Sequence, residues 1–202
     1  TLTINLGAGA WQDSFVFDGQ QCLGFAYIQL EGQGGSTIIS PEGPSGVYSA
    51  HGCTVFVRDI SIIGAKNALH SFKSGDLTVN GAVTIASSVT QQTPVLANLN
   101  GFIHLTEDAE VTFKDNASIV SLLRTFYGGL ILVKAGARIV LSGTNSGSHF
   151  AHADWNSQIN FKAGATFSGT FTGKKYAVSH GGVLYHGSAI LPGTQAGTSV
   201  SP

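Results

Sequence analysis

The sequence repeats itself at a spacing of 28 residues, and few folds accommodate such a spacing without helices. "GGLILVKAGARIVLSG", residues 128–143, returns in outline as "NSQINFKAGATFSG", residues 156–169. Ile103, Ile131 and Ile159 fall at one register, Leu105, Val133 and Phe161 at a second, and Val111, Ile139 and Phe167 at a third. Looser copies flank these units: "GFAYIQLEG" from Gly24, "CTVFVRDISIIG" from Cys53, "GDLTVNGAVTIA" from Gly75 and "GGVLYHGSAILPG" from Gly181. There the spacing contracts to about 22–26 residues.

Each unit reads as a strand, a tight turn at Gly-Ala or Asp-Ala, a second strand, a variable loop, a third strand and a turn carrying Gly or Asn. Composition agrees: 27 glycines, 10% charged residues, no methionine, and short runs of Val, Ile, Thr and Phe favour strands over helices. Short alternating strands cannot bury a face unless a neighbour lies against them, and stacked repeats supply that neighbour. The fold expected is therefore all-β, a single-stranded parallel β-helix of about seven to eight coils, a rod on the order of 35 Å long. Residues 1–186 form the β-helix and 187–202 a C-terminal closing segment. In the third strand, Leu69, Val95, Leu123 and Ala151 should stack as one inward column and Ser71, Ala97, Thr125 and Ala153 as another. A β-sandwich of hairpins would need Asn-Gly or Asp-Gly turns between antiparallel strands, and Asn-Gly occurs only at Asn80 and Asn100.

The formal charge of −1, with no basic cluster larger than Lys174-Lys175, lacks the electrostatic footprint of a nucleic-acid binder. Lys134, Arg138 and glycines interrupt the apolar stretches well short of the roughly 18 residues a membrane-spanning helix needs. Cys22 and Cys53 could pair, but two cysteines are no disulfide framework, and burial as small apolar side chains is the expectation. A start at Thr1 with no charged-then-apolar leader suggests a piece of a longer polypeptide.

At the C-terminus, "GGVLYHGSAILPGTQAGT", residues 181–198, resembles the closing segment of bacteriophage tailspike and tail-fibre proteins, and the Gly-Gly cadence of the earlier coils is similar too, although autotransporter adhesins share it. The resemblance implies a right-handed parallel β-helix that assembles side by side as a homotrimer and binds a bacterial surface polysaccharide, capsule or lipopolysaccharide, which some members cleave. It implies a protein of the virion tail, extracellular when mature and made in the host cytoplasm. Outward apolar residues such as Phe72, Phe126 and Tyr127 would be covered by a threefold assembly. No catalytic motif of that family maps onto particular residues.

Glycoside hydrolysis needs two carboxyl groups about 5 Å or 6.5–9.5 Å apart. Asp154 would stack with Phe126 and Gly182, Asp108 with Asn80 and Gly136, and Glu110 with Ala82 and Arg138, so no acid lies over an acid. Glu107, Asp108, Glu110 and Asp115 read as a solvated turn, with Glu110 and Arg138 as a surface ion pair. Lyase chemistry could draw on Arg124, His152 and Tyr127. The outward columns of the third strand are the most polar and aromatic surface: His70, Leu96, Arg124 and His152 in one, Phe72, Asn98, Phe126 and Asp154 beside it. Rings flanked by Arg, Asn, His and Asp suit a sugar, whose C–H face stacks and whose hydroxyls take directional hydrogen bonds. The candidate carbohydrate-binding residues are thus His70, Phe72, Asn98, Arg124, Phe126, His152 and Asp154; trimer contact is the competing role for the same face. In "SHFAHADW", residues 148–155, strict alternation would put His149 and His152 on opposite faces, leaving too few ligands for a metal. "GQGGSTIISPEGPSG", residues 32–46, lacks the Gly-Lys-Ser/Thr of a phosphate loop and reads as a turn-rich excursion. No Ser-His-Asp arrangement stands out, and His51, His104, His180 and His186 read as turn or surface residues. No cofactor is expected.

The function expected is a phage-tail receptor-binding or structural domain that recognises a bacterial glycan without cleaving it. The alternatives are a depolymerase, hydrolase or lyase, with an inter-chain active site, which would release new reducing ends or unsaturated products, and an autotransporter passenger, which would be monomeric.

Overall fold

A computed structural model describes residues 1–20, 22–86 and 92–199. Among these residues the regular structure is all strand except one 3-10 turn, Gly34–Ser36. The strands form three sheets of eight, seven and eight members, all paired in parallel. Up to Val183–Tyr185 a strand's partner is the third one along the chain, so each coil gives one strand to each sheet, and the last short strand, Thr198–Ser199, is the second after its partner. The first sheet runs from Leu2–Asn5 to Val183–Tyr185, the second from Gly9–Trp11 to Thr166–Ser168, and the third from Phe15–Phe17 to Thr198–Ser199. Seven coils contribute to all three sheets: the chain is a parallel β-helix.

Period-two alternation makes the core a set of files running up the rod. Ile28, Val55, Leu77, Ile103, Ile131 and Ile159 stack in one, and Leu30, Val57, Val79, Leu105, Val133 and Phe161 in the next. Val111, Ile139 and Phe167 align in the second sheet, and Leu69, Val95, Leu123 and Ala151 in the third, as their spacing predicts. Several buried polar side chains inside this apolar tube are satisfied locally, which avoids the cost of an unmade hydrogen bond. Ser49 Oγ donates to the Cys53 carbonyl at 2.7 Å, and Ser71 Oγ, one coil on, to the Gly75 carbonyl at 2.6 Å. Between the second and third sheets Asn116 and Asn145 form a two-rung ladder. Asn116 Nδ2 donates to the Ile85 carbonyl (3.0 Å) and to Asn145 Oδ1 (3.3 Å), and Asn145 Nδ2 donates to the Phe113 carbonyl (3.2 Å).

Two local departures from a simple repeat decide what the third sheet presents outside. Within its strands, two consecutive residues enter the core: Ala68 and Leu69, Leu122 and Leu123, Phe150 and Ala151. Alternation slips by one there, and residues three apart come to share the outer side. The second departure is the turn that follows the strand. His51, Lys73, Leu99, Tyr127, Trp155 and His180 all adopt positive φ (42–51°), each followed by a second positive-φ residue: Gly52, Ser74, Asn100, Gly128, Asn156 or Gly181. Main-chain bonds tie one such turn to the next, as from Asn100 N–H to the Tyr127 carbonyl (3.0 Å), Gly128 to Trp155 (3.2 Å) and Asn156 to His180 (3.0 Å). Left-handed backbone costs a non-glycine residue roughly 1–2 kcal/mol, and the continuous ladder through the turn offsets it.

Cys22 and Cys53 are not separate buried thiols, as their number suggested, but form a disulfide with Cα atoms 5.7 Å apart. Cys22 lies in the excursion after Phe15–Phe17 and Cys53 opens a coil, so the bond ties that excursion to the rod. At the other end the closing segment folds back: Leu191 is buried and Thr198–Ser199 pairs with Thr172–Val178. Among the described residues no helix is long and apolar enough to cross a membrane.

Candidate functional site

The outer side of the third sheet carries two long files of side chains and, at its edge, a third from the left-handed turns. In the middle, Tyr48, His70, Leu96, Arg124 and His152 succeed one another coil by coil. Toward the turn run Phe72, Asn98 and Phe126, continued by Asp154, whose amide donates to the Thr125 carbonyl at 3.0 Å. All seven residues singled out from the sequence therefore lie on one face. His70 Nε2 is 3.2 Å from Asn98 Oδ1, and its Nδ1 3.2 Å from Ser45 Oγ. Arg124 lies over the Phe126 ring, 5.2 Å from its centre. At the lower end, beneath His70, a cleft of about 280 Å³ opens between Val16, Pro44, Ser45, Tyr48 and Asn67.

Sequence reasoning missed two parts of this face. The first is the ridge of rings raised by the turn. Phe126 meets Tyr127 edge-on at 5.0 Å, Tyr127 stacks on Trp155 at 5.8 Å, and Trp155 lies flat on His180 at 4.4 Å with 6° between planes. Tyr127 and Trp155 remain 48% and 44% exposed, so large apolar rings stand in water as an ordered stack. The 28-residue spacing of Tyr127 and Trp155 was a visible signal for two of the three.

The second is the surroundings of Asp154. The coil after it is 25 residues long, not 28, so Asp154 lies opposite Ser179 rather than Gly182. Ser179 Oγ donates to Asp154 Oδ1 at 2.9 Å, and His180 Nδ1 donates to the same oxygen at 2.8 Å. Burial works to raise the Asp154 carboxyl, but the His180 and Ser179 bonds and the nearby imidazoles outweigh it and hold it below the usual carboxylate range. His180 is thus more than a turn residue: the buried carboxylate fixes its ring against Trp155.

His149 and His152 do not face opposite ways. The slip at Phe150 and Ala151 brings their rings to 5.1 Å. Among the described residues no group of three or more His, Cys, Asp or Glu side chains has the arrangement of a metal site. Burial, then the charges of Lys174 and Arg124, lower the pKa of His149. Burial, then Arg124 and His149, push His152 down to about 4, against an opposing pull from Asp154. Burial likewise lowers His70, opposed by its Asn98 bond.

These shifts have one sign. Where the folded pKa lies below the unfolded one, the unfolded chain binds more protons in between, so stability is complete above about pH 6.5 and is lost as pH falls through that window. For His152 the loss is expected to reach on the order of 2 kcal/mol by about pH 4. Urea midpoints near pH 7.5 and about pH 5 should show it, and His152→Gln should flatten the difference; an unchanged slope in that variant would place the titration elsewhere.

Chemically, Ser179, His152 and Asp154 are neighbours but not in relay order. Ser179 Oγ donates its hydrogen bond to Asp154, its oxygen stands 3.3 Å from His152 Nε2, and His152 Nδ1 has no partner among the described residues. A nucleophile needs the imidazole between hydroxyl and carboxylate. Glu110 and Arg138 form the expected ion pair at 2.9 Å, with both side chains largely in solvent. The arrangement is that of a parallel β-helix presenting an aromatic and polar face. Comparison with protein-family models, with curated proteins and with solved structures finds no match.

Proposed function

We propose that this chain is a glycan-binding β-helix module of the phage tailspike or tail-fibre kind, recognising a bacterial surface polysaccharide by stacking and hydrogen bonding without cleaving it, and acting as a homotrimer at the virion tail. The observation that carries the reading is the exposed stack Tyr127–Trp155–His180 beside Phe126 and Arg124. Isolated apolar side chains on a surface are ordinary, whereas ordered rings bordered by hydrogen-bonding groups are what a saccharide requires. The order of Ser179, Asp154 and His152 argues for binding over acyl transfer, and the Cys22–Cys53 bond suits a protein working outside the reducing cytosol.

The test is an array of bacterial capsular and lipopolysaccharide glycans probed with the wild type and Trp155→Ala. The wild type should capture a restricted set and release no new reducing ends from it. Trp155→Ala, at an exposed turn position, should keep its fold and lose about tenfold or more in affinity. Capture of no glycan, or equal binding by the variant, would end this reading. Sedimentation near three times the 20.9 kDa of one chain is expected for the trimer.

A further inference from the structure

Of the three arginines, two have carboxylates in reach: Arg58 Nε is 2.9 Å from Asp59 and Arg138 Nη1 2.9 Å from Glu110. Arg124 has no ion pair among the described residues, and its Nε is buried with no hydrogen-bond acceptor. Nδ1 of His149 and Nδ1 of His152 are in the same condition, as is Ser121 Oγ. These orphans are not scattered. Arg124 is in register with His152 and Ser121 with His149 on adjacent strands, and His149 pairs in turn with Lys174 on the next coil. Asp154, the nearby acid, is already bonded to Ser179 and His180, and its second oxygen lies 4.0 Å from His152 Nε2. Two permanent cations and two imidazoles thus converge, and among the described residues the nearby anion is Asp154, whose Oδ1 is already taken by Ser179 and His180.

Polar groups withdrawn from water without partners are destabilising, and proteins retain clusters of them where a ligand completes the set. We propose that the patch formed by Arg124, His149, His152 and Lys174 binds the anionic substituent of an acidic sugar, a carboxylate or a phosphate ester, whose ring lies toward Phe126 and the aromatic ridge. The proposal rests on the glycan-binding reading and names the class of glycan. The guanidinium fork takes two oxygens of such a group at once, and Lys174 adds a point charge. An anion also reverses the repulsion that Arg124 and Lys174 exert on the two imidazoles, so each becomes easier to protonate and gains a second N–H donor.

The test follows the histidine ring signals of the whole chain by NMR during titration with glucuronate, glucose 6-phosphate or glucose. One or both anions should move the His149 and His152 resonances and raise their pH midpoints, and the tighter of the two tells carboxylate from phosphate. Glucose should do neither. Arg124→Gln and Lys174→Gln should each weaken the response roughly tenfold, while Lys134→Gln, whose lysine pairs with Glu107 elsewhere on the rod, should not. The inference is overturned if glucose acts like the anions, if no anion moves these rings, or if both the Arg124 and Lys174 variants respond like wild type. A chain that captures neutral polysaccharides yet ignores both anions keeps the glycan-binding reading and loses this site. One that responds to the anions yet captures no polysaccharide keeps the site and loses that reading.

Discussion

Truncating Phe150 to alanine is expected to destabilise the protein by about 3–5 kcal/mol. Phe150 is fully buried at the slip in the third sheet, and its ring meets Phe161, Phe167 and Phe171 with centres 5.8–6.3 Å apart. These four rings come from three sides of the tube, so no single neighbour can move in to fill the space. The loss therefore combines transfer free energy with a cavity. A repeat protein distributes stability between adjoining coils, and the damage should concentrate near the C-terminal end. Urea titration would measure the total, and amide exchange would place it: faster exchange in Gln158–Phe161 and Thr166–Ser168 than in Thr54–Arg58 is the expected pattern. A loss below about 1 kcal/mol would mean the site collapses freely, contrary to its packing.

The second large effect is at the opposite end. Reducing the Cys22–Cys53 bond, which spans 31 residues, is expected to cost about 3–4 kcal/mol by the chain-entropy relation. Cys53 itself is buried in the core, so Cys53→Ala removes packing as well as the cross-link, and Cys22→Ala is the cleaner variant. Mass spectrometry with and without reductant checks the bond, and the denaturation midpoint of Cys22→Ala against reduced wild type checks its worth. Equal midpoints for oxidised and reduced protein would show that the excursion is held by its contacts alone.

The architecture was legible because parallel stacking converts a spacing into a contact. When Ile103, Ile131 and Ile159 recur at one interval and no helix intervenes, piling them is the arrangement that buries all three. The same logic placed the seven face residues. It failed wherever the interval changed: a coil of 25 residues moved Asp154 from Gly182 to Ser179, and that shift created the cluster with His180. Strict alternation likewise failed at Leu122-Leu123 and Phe150-Ala151, where two apolar neighbours in succession were the overlooked mark of the slip that joins His149 to His152. Cys22 belongs to a segment outside the repeats, so no register could pair it with Cys53.

The left-handed turn that closes the third strand has a consequence for how such a surface can change over time. Its geometry is kept by main-chain bonds, and the six positions His51, Lys73, Leu99, Tyr127, Trp155 and His180 already hold a charge, an aliphatic chain and four different kinds or copies of ring on one backbone shape. Single-codon changes there alter what the rod displays one layer at a time while its scaffold stays put. The pattern the rod shows can drift in small, separable steps without a detour through an unfolded ancestor.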